Sequence, residues 1–297
     1  MSIPIQSTED VMTRRHRTET WDMFKKIKDI LSKHKRLSVR QIFYQCATKN
    51  YVSLDINGYE RIGRLCSQGR LEGILPWDKI VDRSRFPTQL NMWDSVGDFY
   101  SILPSLYRRN IWLNQPNYFE VWMEKSALYD IFYDQIFDHG ILLMTVRGYS
   151  SLSIIYERSL IFKKYIAEGR KCKILYFGDH DPNGIQIDKS IRSTFRKLNV
   201  DVDIERIALT YDDIFEYNLP TNIEKEEDTN LDNYKLAGYV LQAELDALPV
   251  EILEKRIINS VTDNLDMDKY KEYKELEKRD LQMVSQDLGG IINKQSE

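Results

Sequence analysis

The sequence predicts an α/β protein in two parts, a basic helical unit followed by a larger unit with a parallel sheet flanked by helices. Three observations lead to this prediction. Before residue 90, apolar residues recur at three- and four-residue spacing, which is typical of amphipathic helices. After residue 115, short apolar runs alternate with helical segments, and the net charge changes sign between the two parts. The 297 residues are enough for two domains.

The charge distribution separates the two parts. Residues 1–90 contain 17 Lys and Arg against 10 Asp and Glu, a net charge of +7, whereas the remainder contains 25 against 36, a net charge of −11. A basic first part predicts binding to a polyanion, and an acidic second part would need cations to approach a phosphate backbone. The predicted boundaries are 1–90 for the basic unit, 91–115 for a linker helix, 116–264 for the α/β unit and 265–297 for a charged helical tail.

Hydropathy and cysteine content restrict the class of protein. No apolar run approaches the length of a membrane span, and the N-terminus lacks the apolar core of a signal peptide. The three cysteines lie far apart within apolar patterns, which predicts reduced core residues rather than a disulfide framework or a zinc site. We therefore expect a cytoplasmic protein, nucleoid-associated if bacterial or phage, that does not contact a membrane. The cysteines are Cys46, Cys66 and Cys172.

Three helices are predicted in the basic unit, over residues 18–35, 39–48 and 59–68, with Ser38 as the N-cap of the second. The residues of the third helix that are expected to face inward are Ile62, Leu65 and Cys66. A β-wing over 77–85 would complete a winged helix, the DNA-binding fold in which the third helix enters the major groove. The alternative is an ordinary helical bundle with a solvated basic face. The candidate DNA contacts are Arg61, Arg64 and Gln68 on the third helix and Arg83 and Arg85 on the wing.

Tyr44 lies outside the apolar stripe of the second helix. At about 100° per residue it is roughly 120° from the centre of that stripe, and it follows Arg40 by one turn. Two interpretations are open. The tyrosine is either a half-buried residue that packs on a neighbouring element, or a nucleophile or DNA contact. In the second case the guanidinium would favour the phenolate and lower a pKa that is ordinarily near 10.

Alternating strands and helices in the second part predict a parallel sheet with right-handed crossovers. A linker helix at 99–109 precedes it, and a helix opened by Pro249 and a helical tail from about residue 266 follow it. Strands are predicted at 118–124, 141–146, 174–178, 202–209 and 239–245, and helices at 126–138, from 150 or 151 to near 169, and at 185–198.

Charged residues follow three of these strands. Glu124 ends the first strand and Arg147 the second, while Asp179 and Asp181 follow the third. Because ligands collect at the carboxyl ends of parallel strands, the three carboxylates are expected to meet around an open position. There they could hold Mg²⁺ or Mn²⁺ for phosphoryl transfer. The simpler alternatives are a helix-capping turn for the aspartates and a surface ion pair with Lys125 for Glu124.

Two further acids, Glu244 and Asp246, lie at the end of the predicted strand 239–245. They either contact the metal ligands without binding the metal themselves, or cap the helix that begins at Pro249. Lys125, next to Glu124, belongs to the same supporting set.

The residues Gly-Asp-His-Asp-Pro-Asn-Gly at 178–184, together with Glu124 after a strand, resemble a Toprim domain. The histidine between the aspartates and the Pro-x-Gly after them are similar to the A subunit of topoisomerase VI and to its relative, the transesterase that makes meiotic double-strand breaks. Ser-Val-Arg-Gln-Ile-Phe-Tyr at 38–44 is similar to the nucleophile segment of that family, which lies in a winged-helix domain. The resemblance covers about 37–260 and is closest to uncharacterised bacterial and phage proteins of this architecture.

The resemblance implies a reaction and a set of partners. Tyr44 would attack a phosphodiester of double-stranded DNA and form a 5′-phosphotyrosyl link, with Arg40 stabilising charge beside it. Glu124, Asp179 and Asp181 would hold Mg²⁺ at the scissile phosphate. The protein would act as a homodimer in which the tyrosine of one protomer meets the metal site of the other. An ATPase B-type subunit is a partner in that family, although no segment of the sequence indicates one. Further candidate DNA contacts are Arg147 and His180.

Three functions remain open on the sequence. The first is Mg²⁺-dependent DNA cleavage by tyrosine transesterification, of the type IIB topoisomerase A-subunit kind. The second is a Toprim endonuclease that hydrolyses DNA with metal-activated water, in which Tyr44 is structural. The third is a non-catalytic DNA-binding protein.

Overall fold

A computed structural model of the chain describes residues 18–81, 90–146, 152–221 and 230–295. Within these ranges the protein contains eleven α-helices and a four-stranded parallel sheet, so the predicted α/β class is confirmed. The finer winged-helix and Toprim assignments stay predictions. No helix in the described ranges combines the length and the apolar character that crossing a membrane requires.

Three helices form the basic unit, as predicted: α1 (Thr18–Ser32), α2 (Val39–Thr48) and α3 (Ile56–Leu71). The N-cap of α2 is Ser38. Its hydroxyl accepts the Gln41 N–H at 3.3 Å, and its own N–H donates to the Gln41 side chain at 2.8 Å, which forms a capping box. The residues of α3 that were predicted to face inward are all buried: Ile62, Leu65 and Cys66.

Two short strands pair residues near the end of the basic unit with residues between α1 and α2. The strands β1 (Leu37–Ser38) and β2 (Ile80–Val81) run parallel, with Leu37 opposite Ile80. The rest of the predicted wing, including Arg83 and Arg85, lies outside the described residues. The wing therefore stays a prediction.

Four parallel strands form the sheet of the α/β unit: β3 (Asn117–Met123), β4 (Leu143–Thr145), β5 (Lys171–Phe177) and β6 (Asp203–Ala208). Their order across the sheet is β4-β3-β5-β6. The two central strands are apolar and covered on both faces, which agrees with their continuous hydrophobic runs. All four strands end at the same edge of the sheet. The largest fully buried side chains of the central strands are Phe119, Trp122, Tyr176 and Phe177.

The remaining helices connect the strands or extend the chain beyond the sheet. The predicted helix at 126–138 is divided into a 3₁₀ turn, a short α-helix and a second 3₁₀ turn. The helices are α4 (Val96–Leu106), α5 (Tyr129–Ile136), α6 (Leu152–Ala167), α7 (Pro182–Lys197), α8 (Tyr211–Glu216), α9 (Leu231–Leu236), α10 (Val250–Asn264) and α11 (Met267–Gln295), and the 3₁₀ turns are Ile111–Leu113, Ser126–Leu128, Phe137–His139 and Leu245–Ala247.

The predicted linker helix and tail correspond to α4 and α11, and they contact each other. Asp280 on α11 accepts hydrogen bonds from the Tyr107 hydroxyl and from Arg109, both at 2.6 Å. The tail is therefore anchored to the end of the linker.

The prediction of a strand at 239–245 is wrong. Ala243 makes a single antiparallel bridge with His180, and the chain then enters the 3₁₀ turn Leu245–Ala247. The Leu245 N–H donates to the Asp179 carboxylate at 2.8 Å instead of to a neighbouring strand. The segment packs against the loop that follows β5. Its apolar residues are buried there, and they give the same sequence pattern as a buried strand.

Candidate functional site

The carboxyl ends of β3 and β5 bring Glu124 and Asp179 together, as the sequence predicted. The Glu124 carboxylate accepts the backbone N–H of Asp179 at 3.0 Å. Asp181 is the N-cap of α7, where its Oδ1 accepts the Gly184 N–H at 2.6 Å. Asp181 therefore caps a helix, and its charge also acts on Glu124. The structure confirms the helix-capping interpretation of this aspartate, and its role as a metal ligand stays a prediction.

Burial and mutual repulsion govern the charge of these acids. Burial, the charge of Asp179 and the charge of Asp181 together raise the pKa of Glu124. Burial also raises the pKa of Asp179, although Lys125 opposes that shift. Because the carboxylates repel one another in a poorly solvated place, a positive charge among them stabilises their ionised forms.

Lys125 supplies such a charge. Its Nζ lies 2.8 Å from Asp179 Oδ2 and 3.0 Å from Glu244 Oε2. Burial alone would lower the pKa of Lys125, but the charges of Asp179, Asp246 and Glu244 outweigh it and hold that pKa above its usual value. The predicted surface pair of Lys125 with Glu124 is replaced by these two contacts, because the 3₁₀ turn after residue 244 carries acids to the sheet edge.

Arg40 and Tyr44 on α2 face the same cluster. Arg40 pairs with Glu244, and its Nε lies 3.2 Å from Asp246 Oδ2. The charges of Arg40 and Glu244 both act on the Tyr44 hydroxyl. Glu244 thus joins Arg40, Tyr44 and Lys125. One polar network runs from the helix of the basic unit to the strand ends of the sheet.

Tyr44 is buried, with 8% of its surface exposed. One side of α2 packs on α1 and α3, and the other packs on the Leu245–Ala247 turn. Burial and the charge of Glu244 raise the pKa of Tyr44 to about 12, and Arg40 opposes this shift only in part. Of the two interpretations, the packing of Tyr44 on a neighbouring element agrees with this conformation. The lowered pKa that the other interpretation expects is not found, because burial and the charges of Glu244 and Asp246 outweigh the guanidinium.

Asp246 carries a carboxylate that is fully buried. Its Oδ2 lies 3.2 Å from Arg40 Nε, but neither oxygen receives a hydrogen bond of good geometry. Burial raises the pKa of Asp246 to about 6, against the lowering effects of Lys125 and Arg40. The predicted alternative that these acids cap the next helix does not hold, because Pro249 is itself the N-cap of α10. Glu244 and Asp246 instead contact the cations of the cluster.

The three predicted DNA contacts on α3 lie on its outer side, and each contacts an acidic side chain. The guanidinium groups of Arg61 and Arg64 lie 2.5 Å and 3.7 Å from the carboxylates of Glu19 and Glu60. Gln68 donates to a glutamate one turn later at 3.2 Å. The positive charges of Arg61 and Arg64 are therefore partly balanced. The other basic candidates, which lie outside the described residues, are Arg83, Arg85 and Arg147.

His180 is buried within an aromatic cluster. Its Nδ1 lies 2.7 Å from the Tyr234 hydroxyl, and the rings of Tyr211 and Tyr239 pack against it. Burial and the charge of Arg206 lower the pKa of His180 to about 4, so the imidazole is neutral near neutral pH. Because the side chain is 2% exposed, it does not face the solvent, where the expected DNA contact would have to lie.

Arg206 on β6 is a residue of the site that the sequence pattern did not indicate. Its guanidinium donates to the carbonyl oxygens of Gly178, Asp179, Gly184 and Leu209 at 3.3, 3.1, 2.9 and 3.3 Å. It also bonds a carboxylate on α7 at 3.2 Å. These contacts hold the path of the loop that carries both aspartates. The available signal was a charged residue inside a predicted strand of the sheet.

Two glycines, Gly178 and Gly184, allow this loop to pack closely against its neighbours. A Cβ at Gly178 would lie 2.7 Å from the Tyr176 hydroxyl and 2.9 Å from Glu124 Oε2. A Cβ at Gly184 would overlap the backbone carbonyl oxygen of Asp179. The Gly184 clash is the more severe of the two, since a backbone atom cannot rotate away as a side chain can.

We expect Gly184→Ala to lower the free energy of unfolding by about 2–3 kcal/mol, the range for inserting atoms into a well-packed place. Urea unfolding measures this loss. Gly63→Ala is the matched control, because a Cβ at that position on α3 would have nothing within 4 Å. The control should be neutral or stabilising by up to about 1 kcal/mol, from helix propensity. Equal losses in the two variants would contradict the packing argument.

The donor set fits a hard divalent cation in its chemistry. Glu124, Asp179 and Asp181 offer oxygen ligands, which Mg²⁺ and Mn²⁺ prefer. The buried carboxylate of Asp246 adds negative charge that a cation would balance. In the part of the chain that the structure describes, no three or more His, Cys, Asp or Glu side chains are grouped closely enough to hold a metal ion. One oxygen of Asp179 is instead held by Lys125.

Comparisons with protein-family models, curated proteins and solved structures found no match to this chain. The family resemblance based on the motifs therefore stays a hypothesis. Its support comes from the residues of the site and their geometry.

Proposed function

We propose that the protein is a Mg²⁺-dependent DNA-cleaving enzyme in which Tyr44 attacks a phosphodiester, as in the A subunit of topoisomerase VI. The observation that carries this proposal is the polar network that joins Tyr44 and Arg40 to the strand-end acids through Glu244 and Lys125. Ionisable groups whose pKa values are strongly shifted cluster at functional sites. This network supports the assignment of the candidate nucleophile and the candidate metal ligands to one site.

In the proposed reaction, Tyr44 Oη forms a bond to the phosphorus of a backbone phosphodiester while the bond to the 3′-oxygen breaks. The phenol proton passes to solvent, and the departing 3′-oxygen takes up a proton from solvent. The products are a 5′-phosphotyrosyl link and a free 3′-hydroxyl. Arg40 lies beside Oη, where its charge can stabilise the phosphate oxygens in the transition state. Because a phenolate leaves more readily than an alkoxide, the 3′-hydroxyl can reverse the link.

The acids have a distinct part in this proposal. Glu124, Asp179 and Asp181 would hold Mg²⁺, which when bound supplies positive charge for the phosphate. Lys125 orients Asp179, and Arg206 keeps the loop with both aspartates in place. A homodimer is part of the proposal. The resemblance implies that the tyrosine of one protomer meets the metal site of the other, whereas we propose that Tyr44 and the acids of the same chain form each site, one for each strand of double-stranded DNA.

One observation favours a second candidate, a nuclease that hydrolyses DNA with water. Tyr44 is buried, and its pKa is raised to about 12. In this conformation the phenol is protonated and shielded, and both properties weaken a nucleophile. In the hydrolytic case, Tyr44 would only pack α2 against the Leu245–Ala247 turn.

Incubation with supercoiled DNA and Mg²⁺, followed by denaturation and gel analysis, separates the two candidates. The chains compared are wild type, Tyr44→Phe and Asp179→Asn. DNA retained on the wild-type protein, but on neither variant, would support transesterification. Nicking without retention that survives Tyr44→Phe and is lost in Asp179→Asn would establish hydrolysis. DNA binding without cleavage under these conditions would contradict both.

A further inference from the structure

Glu244 lies where the groups of the proposed reaction converge. Its Oε2 pairs with Arg40 and lies 3.0 Å from Lys125 Nζ, and its charge acts on the Tyr44 hydroxyl. A guanidinium and an ammonium around one oxygen are donors that bind phosphate in proteins. Here they surround a carboxylate of the same chain.

The surroundings of Glu244 differ from those of the other acids that contact these cations. The Glu244 side chain is 19% exposed and that of Arg40 is 42% exposed, whereas those of Asp179 and Asp246 are 6% and 0% exposed. Glu244 precedes a 3₁₀ turn, but its side chain makes no capping bond to that turn. Its carboxylate can therefore turn into the solvent while Asp179 and Asp246 keep their positions.

We propose that Glu244 occupies the phosphate-binding position of the site as an internal anion, and that a phosphodiester of a DNA strand displaces it. This inference rests on the proposed function, because it takes Tyr44 and Arg40 as the groups that meet the substrate phosphate. The exchange conserves charge, since one anion replaces another between Arg40 and Lys125. The phosphate also replaces Glu244 as the anion that acts on the Tyr44 hydroxyl. Glu244 thus keeps the site closed until DNA binds.

Binding measurements in EDTA test this inference without any cleavage. The probes are a short duplex oligonucleotide and inorganic phosphate, each titrated against wild type, Glu244→Gln and Glu275→Gln. Glu275, an exposed acid on α11, is the matched control for the loss of one negative charge. We expect Glu244→Gln to bind the duplex about tenfold more tightly than wild type. This is a cautious figure for removing an anion that competes with the phosphate for Arg40 and Lys125, since the interaction of two unit charges about 4 Å apart near a protein surface corresponds to a larger factor.

The two probes distinguish the source of the phosphate. Tighter binding of the duplex alone, or of both probes, supports the inference. Tighter binding of inorganic phosphate alone overturns the assignment to a DNA strand. Unchanged or weaker binding of both probes by Glu244→Gln overturns the inference entirely, as does an equal gain in Glu275→Gln.

A double variant shows whether the gain arises at this site. Adding Arg40→Gln to Glu244→Gln should abolish the gain, and a gain that persists would overturn the inference. If Glu244→Gln does not fold, Glu244→Ala replaces it, and the rise in melting temperature on adding duplex, relative to wild type, is the readout.

Cleavage is scored separately, so that the two proposals can fail independently. Wild type that cleaves DNA, together with a Glu244→Gln variant that binds no more tightly, refutes the internal anion alone. Tighter binding by Glu244→Gln, with no DNA cleavage by wild type in Mg²⁺, refutes the proposed function alone.

Discussion

Lys125→Met is expected to lower the free energy of unfolding by about 3–5 kcal/mol, the usual cost of removing one partner from a buried ion pair. The Lys125 side chain is 18% exposed and bridges Asp179 and Glu244. Its charge also acts on the buried Asp246. Without Lys125 these acids must take up protons or repel one another. Urea unfolding at neutral pH gives the value.

The control is Lys189→Met, which removes an exposed lysine on α7 and should change stability by less than about 0.5 kcal/mol. Mg²⁺ provides a second readout. If the acids form a cation site, millimolar Mg²⁺ should stabilise Lys125→Met more than wild type, because the ion replaces the missing charge. A loss of less than about 1 kcal/mol in Lys125→Met, or equal stabilisation of both chains by Mg²⁺, would show that Lys125 does not balance this cluster.

The second large effect is expected for Arg206→Met, which should cost about 3–4 kcal/mol of stability. The substitution removes a donor from four carbonyl oxygens and from the Asp188 carboxylate, while the Gly178 oxygen keeps the Leu209 N–H at 2.7 Å. Each buried acceptor left unpaired costs about 1–3 kcal/mol, and the total is less than the sum because water reaches some of them. The contact of the guanidinium with the Tyr176 ring, 5.1 Å from its centroid, is also lost.

Hydrogen exchange locates this loss in the chain. Amides of the 178–184 loop should exchange faster in Arg206→Met, and Arg206→Lys should recover only part of the protection because one ammonium cannot span four carbonyls. Arg196→Met, at an exposed position in the last turn of α7, is the control. Unchanged protection of the loop in Arg206→Met would contradict the role assigned to the guanidinium.

The sheet and its acidic edge could be predicted because they depend on local patterns. A continuous apolar run that ends in Gly178 and Asp179 is compatible with a buried strand, and the topology of parallel strands then places Glu124 beside it. The helical spacing of the apolar residues likewise predicted correctly which residues of α3 face inward. Each of these strands and helices can be recognised from about ten consecutive residues.

The polar network could not be predicted because it depends on contacts between distant segments. Helical period gives the angle of Tyr44 from the apolar stripe, but it does not say that a 3₁₀ turn covers the second face of α2. The apolar residues before Glu244 have the same pattern whether they form a strand or pack against a loop. The number of carbonyl oxygens that Arg206 reaches depends on the path of that loop, which its own strand does not determine.

Mass spectrometry of the protein denatured during DNA cleavage tests the central claim most directly. After digestion with nuclease and trypsin, we predict a peptide that carries a nucleotide on Tyr44, from wild type in Mg²⁺. The same peptide should be unmodified in EDTA and in Asp179→Asn. DNA cleavage accompanied by an unmodified Tyr44 peptide, or a nucleotide on a different tyrosine, would contradict the proposed role of Tyr44.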